Sequence, residues 1–192
     1  MKNFKQIATI AVFVMVAAMV GTPALAHTGG PVSGLYSGLT HPLFGLDHLL
    51  AMIAVGVWSA ALPVNRAWQG PVLFVAMLAL GAALGMGGVA FPLVEPGIIA
   101  SVIILGAMIA AFRFIPSAVG LAAIGGFALL HGHAHGTEAA GAVASYMVGF
   151  MIASAALHLA GYAGGRLVNR LRYGLVASGV AFSAAGLLLA VG

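Results

Sequence analysis

Long apolar runs, separated by short junctions rich in glycine, proline and polar residues, occupy most of the chain. Six of these runs are each close to the length of about 20 residues that an α-helix needs to cross a bilayer. They lie near 39–62, 71–93, 96–113, 116–135, 139–163 and 173–191. The junctions are too short for a water-soluble domain. The pattern therefore predicts an all-α polytopic membrane protein, with one bundle of six transmembrane helices over residues 27–192.

A shorter apolar stretch near the start of the chain follows two lysines and precedes Ala24-Leu25-Ala26. A positive start, a short apolar segment and a small-x-small cleavage pattern are typical of a secretory signal peptide. We therefore predict that residues 1–26 are a cleaved signal peptide and that the mature chain begins at His27. The alternative is an uncleaved first helix.

The arginines predict the orientation of the bundle. A cleaved signal peptide places the mature N-terminus outside, and six spans that alternate in direction then place all five arginines on the inner side. They are Arg66, Arg113, Arg166, Arg170 and Arg172. This distribution obeys the positive-inside rule, so both mature termini are expected outside.

Composition narrows the functional classes. Only 5% of residues are charged and the mean hydropathy is +1.15, whereas a soluble domain is about 25% charged. The absence of cysteine excludes disulfides, thiolate metal sites and thiol catalysis. The scattered cations do not indicate nucleic-acid binding, and no GxxxxGK[ST] loop is present for ATP hydrolysis. Pairs such as Gly81/Gly85 and Gly161/Gly165 predict close helix packing, within one chain or between copies of it.

The first predicted span carries ionisable groups, which are costly to bury in lipid and therefore indicate function. If Pro42 lies in the first turn of a continuous helix, then His41, His48 and Met52 share one face of that helix. On the same helix, the side chain of Asp47 is rotated about 100° around the helix axis from that of His48. Asp47 is then either a direct metal ligand or the acceptor that fixes the tautomer of a histidine.

A second group of polar residues ends the fourth predicted span. His131, His135 and Glu138 follow a spacing of four and three residues, so a continuous helix places them on one face. His133 points elsewhere, and the intervening glycines could break the helix. His158 stands alone in the fifth span, where a hydrogen bond between helices is the alternative to a role in transport.

An α-helix rises about 1.5 Å per residue. Counting along the predicted helices therefore places the ionisable groups at three depths in the membrane. Asp47 and His48 fall near the midplane, the group ending at Glu138 falls near the outer surface, and His158 falls near the inner surface. We hypothesise that a metal ion is gathered outside with the help of His41, bound centrally and released past His158. Simple interfacial histidines and a buried structural Asp–His pair are the alternatives.

Imidazole with carboxylate suits zinc, copper(II), nickel and cobalt(II). Calcium and magnesium prefer oxygen ligands, and the chain has only three carboxylate residues. Copper(I) remains a candidate ion despite the lack of cysteine, because methionine is also a copper(I) ligand. The residue types do not separate nickel from cobalt or zinc.

Three motifs resemble those of the HupE/UreJ family of small bacterial nickel permeases. They are His41-Pro42-x-x-Gly45-x-Asp47-His48-x-x-x-Met52, His131-Gly132-x-Ala134-His135-Gly136-x-Glu138, and His158-Leu-Ala-Gly161. The first motif is also similar to the HX4DH signature of other nickel/cobalt transporters, but here five residues separate His41 from Asp47. The third motif is weak on its own.

The resemblance implies an ATP-independent permease that moves nickel, or cobalt, inward across the bacterial inner membrane. The ion is then cargo and no tightly bound cofactor is expected. The predicted metal ligands are His41, Asp47, His48, Met52, His131, His135, Glu138 and His158. The expected partners are the metal ion, the lipid bilayer, a second copy of the chain and a hydrogenase or urease maturation system, but no nucleic acid.

Two other classes remain open at this stage. A membrane-embedded metalloenzyme would keep a fixed ion with an open coordination position, although the chain offers no obvious base or nucleophile beyond the proposed ligands, so we expect no enzyme activity. A metal-binding accessory protein would bind nickel without moving it. Both alternatives predict metal binding without flux.

Overall fold

The computed structural model describes residues 34–138 and 142–192, which form seven α-helices and two 3₁₀ turns and, within these ranges, no β-strand. The helices are α1 (Leu35–Phe44), α2 (Leu46–Ala60), α3 (Gln69–Met86), α4 (Val94–Ala110), α5 (Ser117–Glu138), α6 (Val143–Val168) and α7 (Gly174–Val191). The predicted signal peptide and His27 lie outside the described residues. The prediction of an all-α fold is confirmed for the described part.

Helix length and hydropathy identify the membrane-crossing elements. Four helices of the described chain are long and apolar enough to cross a bilayer: α3 together with its preceding 3₁₀ turn (Val64–Met86), α5, α6 and α7. The pair α1 and α2 makes a fifth if a bent pair counts as one span, and α4 is apolar but has 17 residues. The chain is therefore a helical membrane protein.

The first predicted span differs from the structure. A continuous helix over 39–62 is wrong, because α1 and α2 meet at Gly45 with a bend of 82°. The placement of Pro42 in a first helical turn is also wrong, since α1 begins at Leu35 and Pro42 lies inside it. A proline inside a helix lacks the N–H that would bond the preceding turn, and Gly45 is in an extended conformation. His41 and His48 are consequently on two different helices.

Glycines permit the closest helix contacts, which join α3 to α5, α4 to α7, and α6 to both α1 and α2. A Cβ atom on Gly132 of α5 would overlap the Leu78 carbonyl of α3, and one on Gly81 of α3 would overlap the Leu129 carbonyl of α5. This confirms the predicted packing role of the small residues in the second span. Such contacts replace the hydrophobic effect, which is absent between helices in lipid.

The segments that carry arginines meet at one end of the bundle. Ala61, Arg113 and Arg172, from three different connections, line one cavity of about 390 Å³. The 3₁₀ turn Val64–Arg66 begins three residues after Ala61. The gathering of these arginines at one end agrees with the predicted distribution. His48, in the first turn of α2, and the last turns of α5 lie at the other end.

Candidate metal centre

Three buried or half-buried imidazoles from three helices form the centre. His41 of α1, His48 of α2 and His135 of α5 each offer a ring nitrogen, and these atoms lie within 4.8 Å of one another. The ring centroids are 4.8 Å apart for His41–His135 and 4.3 Å apart for His48–His135. Two nitrogens bound to one ion at about 2.1 Å are at most about 4.2 Å apart. A closing movement of about an ångström would therefore allow all three to bind one ion.

The bend at Gly45 brings His41 and His48 together. A straight helix would place them about two turns apart along its axis, whereas their ring centroids in the bent pair are 6.0 Å apart. Close packing of α1 on α6 supports this arrangement, because a Cβ atom on Gly38 would overlap the Tyr146 carbonyl. The break that contradicts the predicted helix thus builds the site.

The second group of histidines lies on one continuous helix, so the glycines do not interrupt α5. His131 and His135 both face His48, with ring centroids at 4.8 Å and 4.3 Å from it. Both imidazoles are fully buried. The prediction that they share a face of one helix is confirmed.

Both carboxylates of the motifs lie beside a clustered histidine. Asp47 Oδ1 accepts the backbone N–H of His48 at 2.8 Å and lies 3.0 Å from His48 Nδ1. This contact matches the orienting role considered above, in which Asp47 fixes the tautomer of an imidazole. Glu138 Oε2 lies 3.9 Å from His135 Nδ1, which agrees with the predicted common face.

The prediction that the outer and central polar groups lie at two different depths is wrong. The outer and central groups form one cluster, because His48 contacts both His131 and His135. The depth of His48 was overestimated by counting from a helix start near residue 39, whereas α2 begins at Leu46. His158 is fully buried and contacts Phe74, whose ring centroid is 4.9 Å from that of His158 and 5.8 Å from that of His131.

Two other predicted positions have clear surroundings. Met52 is fully buried in the hydrophobic core, one turn after His48, and its role as a ligand stays a prediction. His133 Nε2 donates a hydrogen bond to the Val89 carbonyl at 2.6 Å, and its ring stacks on Phe91 at 4.6 Å. His133 therefore faces the connection between α3 and α4, which agrees with the prediction that it points away from the face of His131 and His135.

Residues outside the motifs also shape the centre. The Phe150 ring lies 4.1 Å from that of His135 and 6.2 Å from that of His48. The Tyr146 hydroxyl, one turn earlier on α6, lies 3.3 Å from His135 Nδ1. Their spacing of four residues places them on one face, but aromatic residues in an apolar span are ordinary packing groups. Sequence alone therefore did not identify them.

Comparisons with known proteins find a matching family model and a similar protein. The family model described as "HupE / UreJ protein" matches residues 13–189. The chain is similar to Protein HupE of Rhizobium leguminosarum bv. viciae, with 39% identity over 171 residues, which cover 88% of this chain and 87% of that protein. No solved structure matches the chain.

Proposed function

The chain belongs to the HupE/UreJ family, and from this premise we propose that it is an ATP-independent permease for a divalent transition-metal ion. Nickel is the proposed cargo and cobalt the alternative. The observation that carries the proposal is the cluster of His41, His48 and His135, whose ring nitrogens lie within 4.8 Å of one another. Imidazole donors suit these metals, and a buried polar cluster in a membrane protein marks an ion path.

The proposed orientation follows the arginines. The end that gathers Arg113 and Arg172 faces the cytoplasm by the positive-inside rule, in the bacterial inner membrane. The histidine cluster then lies toward the periplasm, where both mature termini are also placed. With α1 and α2 as one broken span and α4 as a short one, the bundle has six spans. A broken helix is tolerated at membrane depth where it lines a site inside the protein.

The proposed inward route begins at this cluster, with Asp47 orienting His48 and Glu138 flanking His135. Phe74 follows, because its fully buried ring contacts both His131 and His158. His158 then receives the ion on the cytoplasmic side of that ring. The aromatic ring separates the two polar positions, so its rotation would control passage between them.

Phe74→Ala tests the separation. We expect it to raise nickel leak down a gradient several-fold, because the ring between His131 and His158 is removed, while nickel affinity at the cluster changes less than about threefold. Phe74→Leu, which keeps an apolar barrier, serves as the control. The measurement is nickel efflux from preloaded proteoliposomes, and an unchanged efflux in Phe74→Ala would remove Phe74 from the route.

Nickel flux tests the function itself. Purified protein in proteoliposomes is expected to take up radioactive nickel along an imposed gradient without ATP, and excess cobalt is expected to compete. Protein-free liposomes provide the background. Nickel binding without flux would instead favour a metal-binding accessory protein, and the permease proposal would then be wrong.

A further inference from the structure

A serine on α4 meets one of the clustered histidines from outside the motifs. Ser101 is fully buried, and its Oγ lies 3.0 Å from His131 Nε2 and 2.6 Å from the Ile98 carbonyl oxygen. A hydroxyl carries a single hydrogen, and a carbonyl oxygen can only accept. The Ser101 hydrogen therefore goes to Ile98, so Ser101 Oγ accepts and His131 Nε2 carries the hydrogen that it donates.

We propose that Ser101 is a positioning residue that holds His131 in the Nε2–H tautomer, so that Nδ1 is the nitrogen that His131, beside the cluster of His41, His48 and His135, offers to the ion. The inference rests on the proposed function for the identity of the ion. A neutral imidazole has one ring nitrogen with a free electron pair. When Nε2 carries the hydrogen, only Nδ1 of His131 can bind a cation.

The neighbouring imidazole is held in the opposite sense. Asp47 Oδ1 lies 3.0 Å from His48 Nδ1, and a carboxylate this close favours the tautomer with the hydrogen on that nitrogen, which leaves Nε2 of His48 for the ion. His48 and His131 have ring centroids only 4.8 Å apart. Two imidazoles this close that both pointed N–H groups at one ion would repel it, so each needs an acceptor on its far side.

The surroundings of Ser101 make its influence on His131 strong. Ser101 lies among the buried apolar residues Ile98, Val102 and Leu105 of α4, and His131 is fully buried as well. The serine hydroxyl is therefore the acceptor that this buried site provides for His131 Nε2. In a buried site an N–H group without an acceptor is unfavourable, so loss of the hydroxyl removes the interaction that favours the Nε2–H tautomer. This accounts for a polar residue at a position where packing alone would suit alanine.

The tautomer of His131 is the direct measurement. Solid-state NMR of protein labelled with ¹⁵N-histidine in lipid separates Nδ1–H from Nε2–H rings, and His131→Gln identifies the His131 signals by their loss. In the metal-free parent we expect His131 as Nε2–H. In Ser101→Ala we expect a mixture of both tautomers, because the acceptor at Nε2 is gone, and in Ser101→Thr, which keeps the hydroxyl, the parent tautomer alone.

Ser59→Ala is the matched control. Ser59 is also fully buried on a transmembrane helix, and its Oγ has no hydrogen-bond partner among the described residues. The Ser59→Ala variant should leave the NMR signals of His131 unchanged. In equilibrium dialysis with nickel alone, Ser101→Ala should weaken binding about 10- to 100-fold, as is usual when a residue that orients a ligand is lost, while Ser101→Thr and Ser59→Ala should bind like the parent.

The proposal is overturned if His131 of the parent is Nδ1–H, or if Ser101→Ala keeps the parent tautomer alone. It is also overturned if the tautomer changes but nickel affinity does not, because His131 is then no donor. Failure of the proposed function would look different: the parent itself would show no nickel flux, whereas the tautomer and dialysis measurements need no transport.

Discussion

His48→Ala is expected to abolish nickel flux and to weaken nickel binding more than about 100-fold, since even residues that only orient a metal ligand contribute 10- to 100-fold. His48 is fully buried, and its ring contacts those of His41, His131 and His135. It is the imidazole that joins α1, α2 and α5 into one centre. Its removal takes away one of the three imidazoles whose ring nitrogens lie within 4.8 Å of one another.

His133→Ala is the matched control for this prediction. His133 is a buried histidine on the same helix as His131 and His135, but it bonds the Val89 carbonyl and stacks on Phe91. Its loss should leave nickel affinity within about threefold of the parent. Radioactive nickel uptake and equilibrium dialysis measure both variants. Equal losses in His48→Ala and His133→Ala would show that the effect is structural and that the cluster is not the binding site.

The helical class and the approximate positions of five helices, α3 to α7, could be predicted because hydrophobic length determines them. A run of about 20 apolar residues has few alternatives to a helix in lipid, where every backbone polar group must bond within the segment. The ends of α5 and α7 agree with the predicted segments to within about three residues. The second segment was predicted too long, since α3 ends at Met86, because the apolar run continues into the connection that follows.

The break at Gly45 could not be predicted in the same way. The residues on either side are as apolar as a continuous span, and proline is common in the first turn of a helix, which is where Pro42 would lie in a helix that begins near residue 39. The choice depends on α1 packing across α6, which is a contact between distant parts of the chain. Pairs within one helix were therefore predicted correctly, as for His131 and His135, whereas the proximity of His48 to His135 was not.

The same limit applies to the residues that support the centre. Ser101 and Phe74 are single residues in apolar helices, and nothing in their spacing relates them to His131. Their roles follow from distances of 3.0 Å to a ring nitrogen and 5.8 Å between ring centroids. Polar ligands in motifs are visible in sequence, whereas the groups that orient or separate them become visible only when the helices are assembled.

Gly132→Ala is expected to destabilise the protein at the upper end of the about 1–3 kcal/mol typical of overpacking, and to abolish nickel binding as well. The new Cβ atom would overlap the Leu78 carbonyl of α3. Because this neighbour is backbone, it cannot turn aside as a flexible side chain would. The helices α3 and α5 would have to separate, and Gly132 follows directly after His131 in the centre.

Gly126→Ala, six residues earlier on α5, separates this packing effect from a general effect of glycine replacement. Gly126 is exposed, and a Cβ atom there would meet no atom within 4 Å. The free energy of unfolding of Gly126→Ala should lie within about 1 kcal/mol of that of the parent. Any change should be stabilising, because alanine favours helix more than glycine does. Thermal unfolding in detergent and nickel dialysis compare the two variants. A Gly132→Ala protein as stable as Gly126→Ala would show that α3 and α5 do not pack at this distance, and the cluster geometry built on α5 would then need revision.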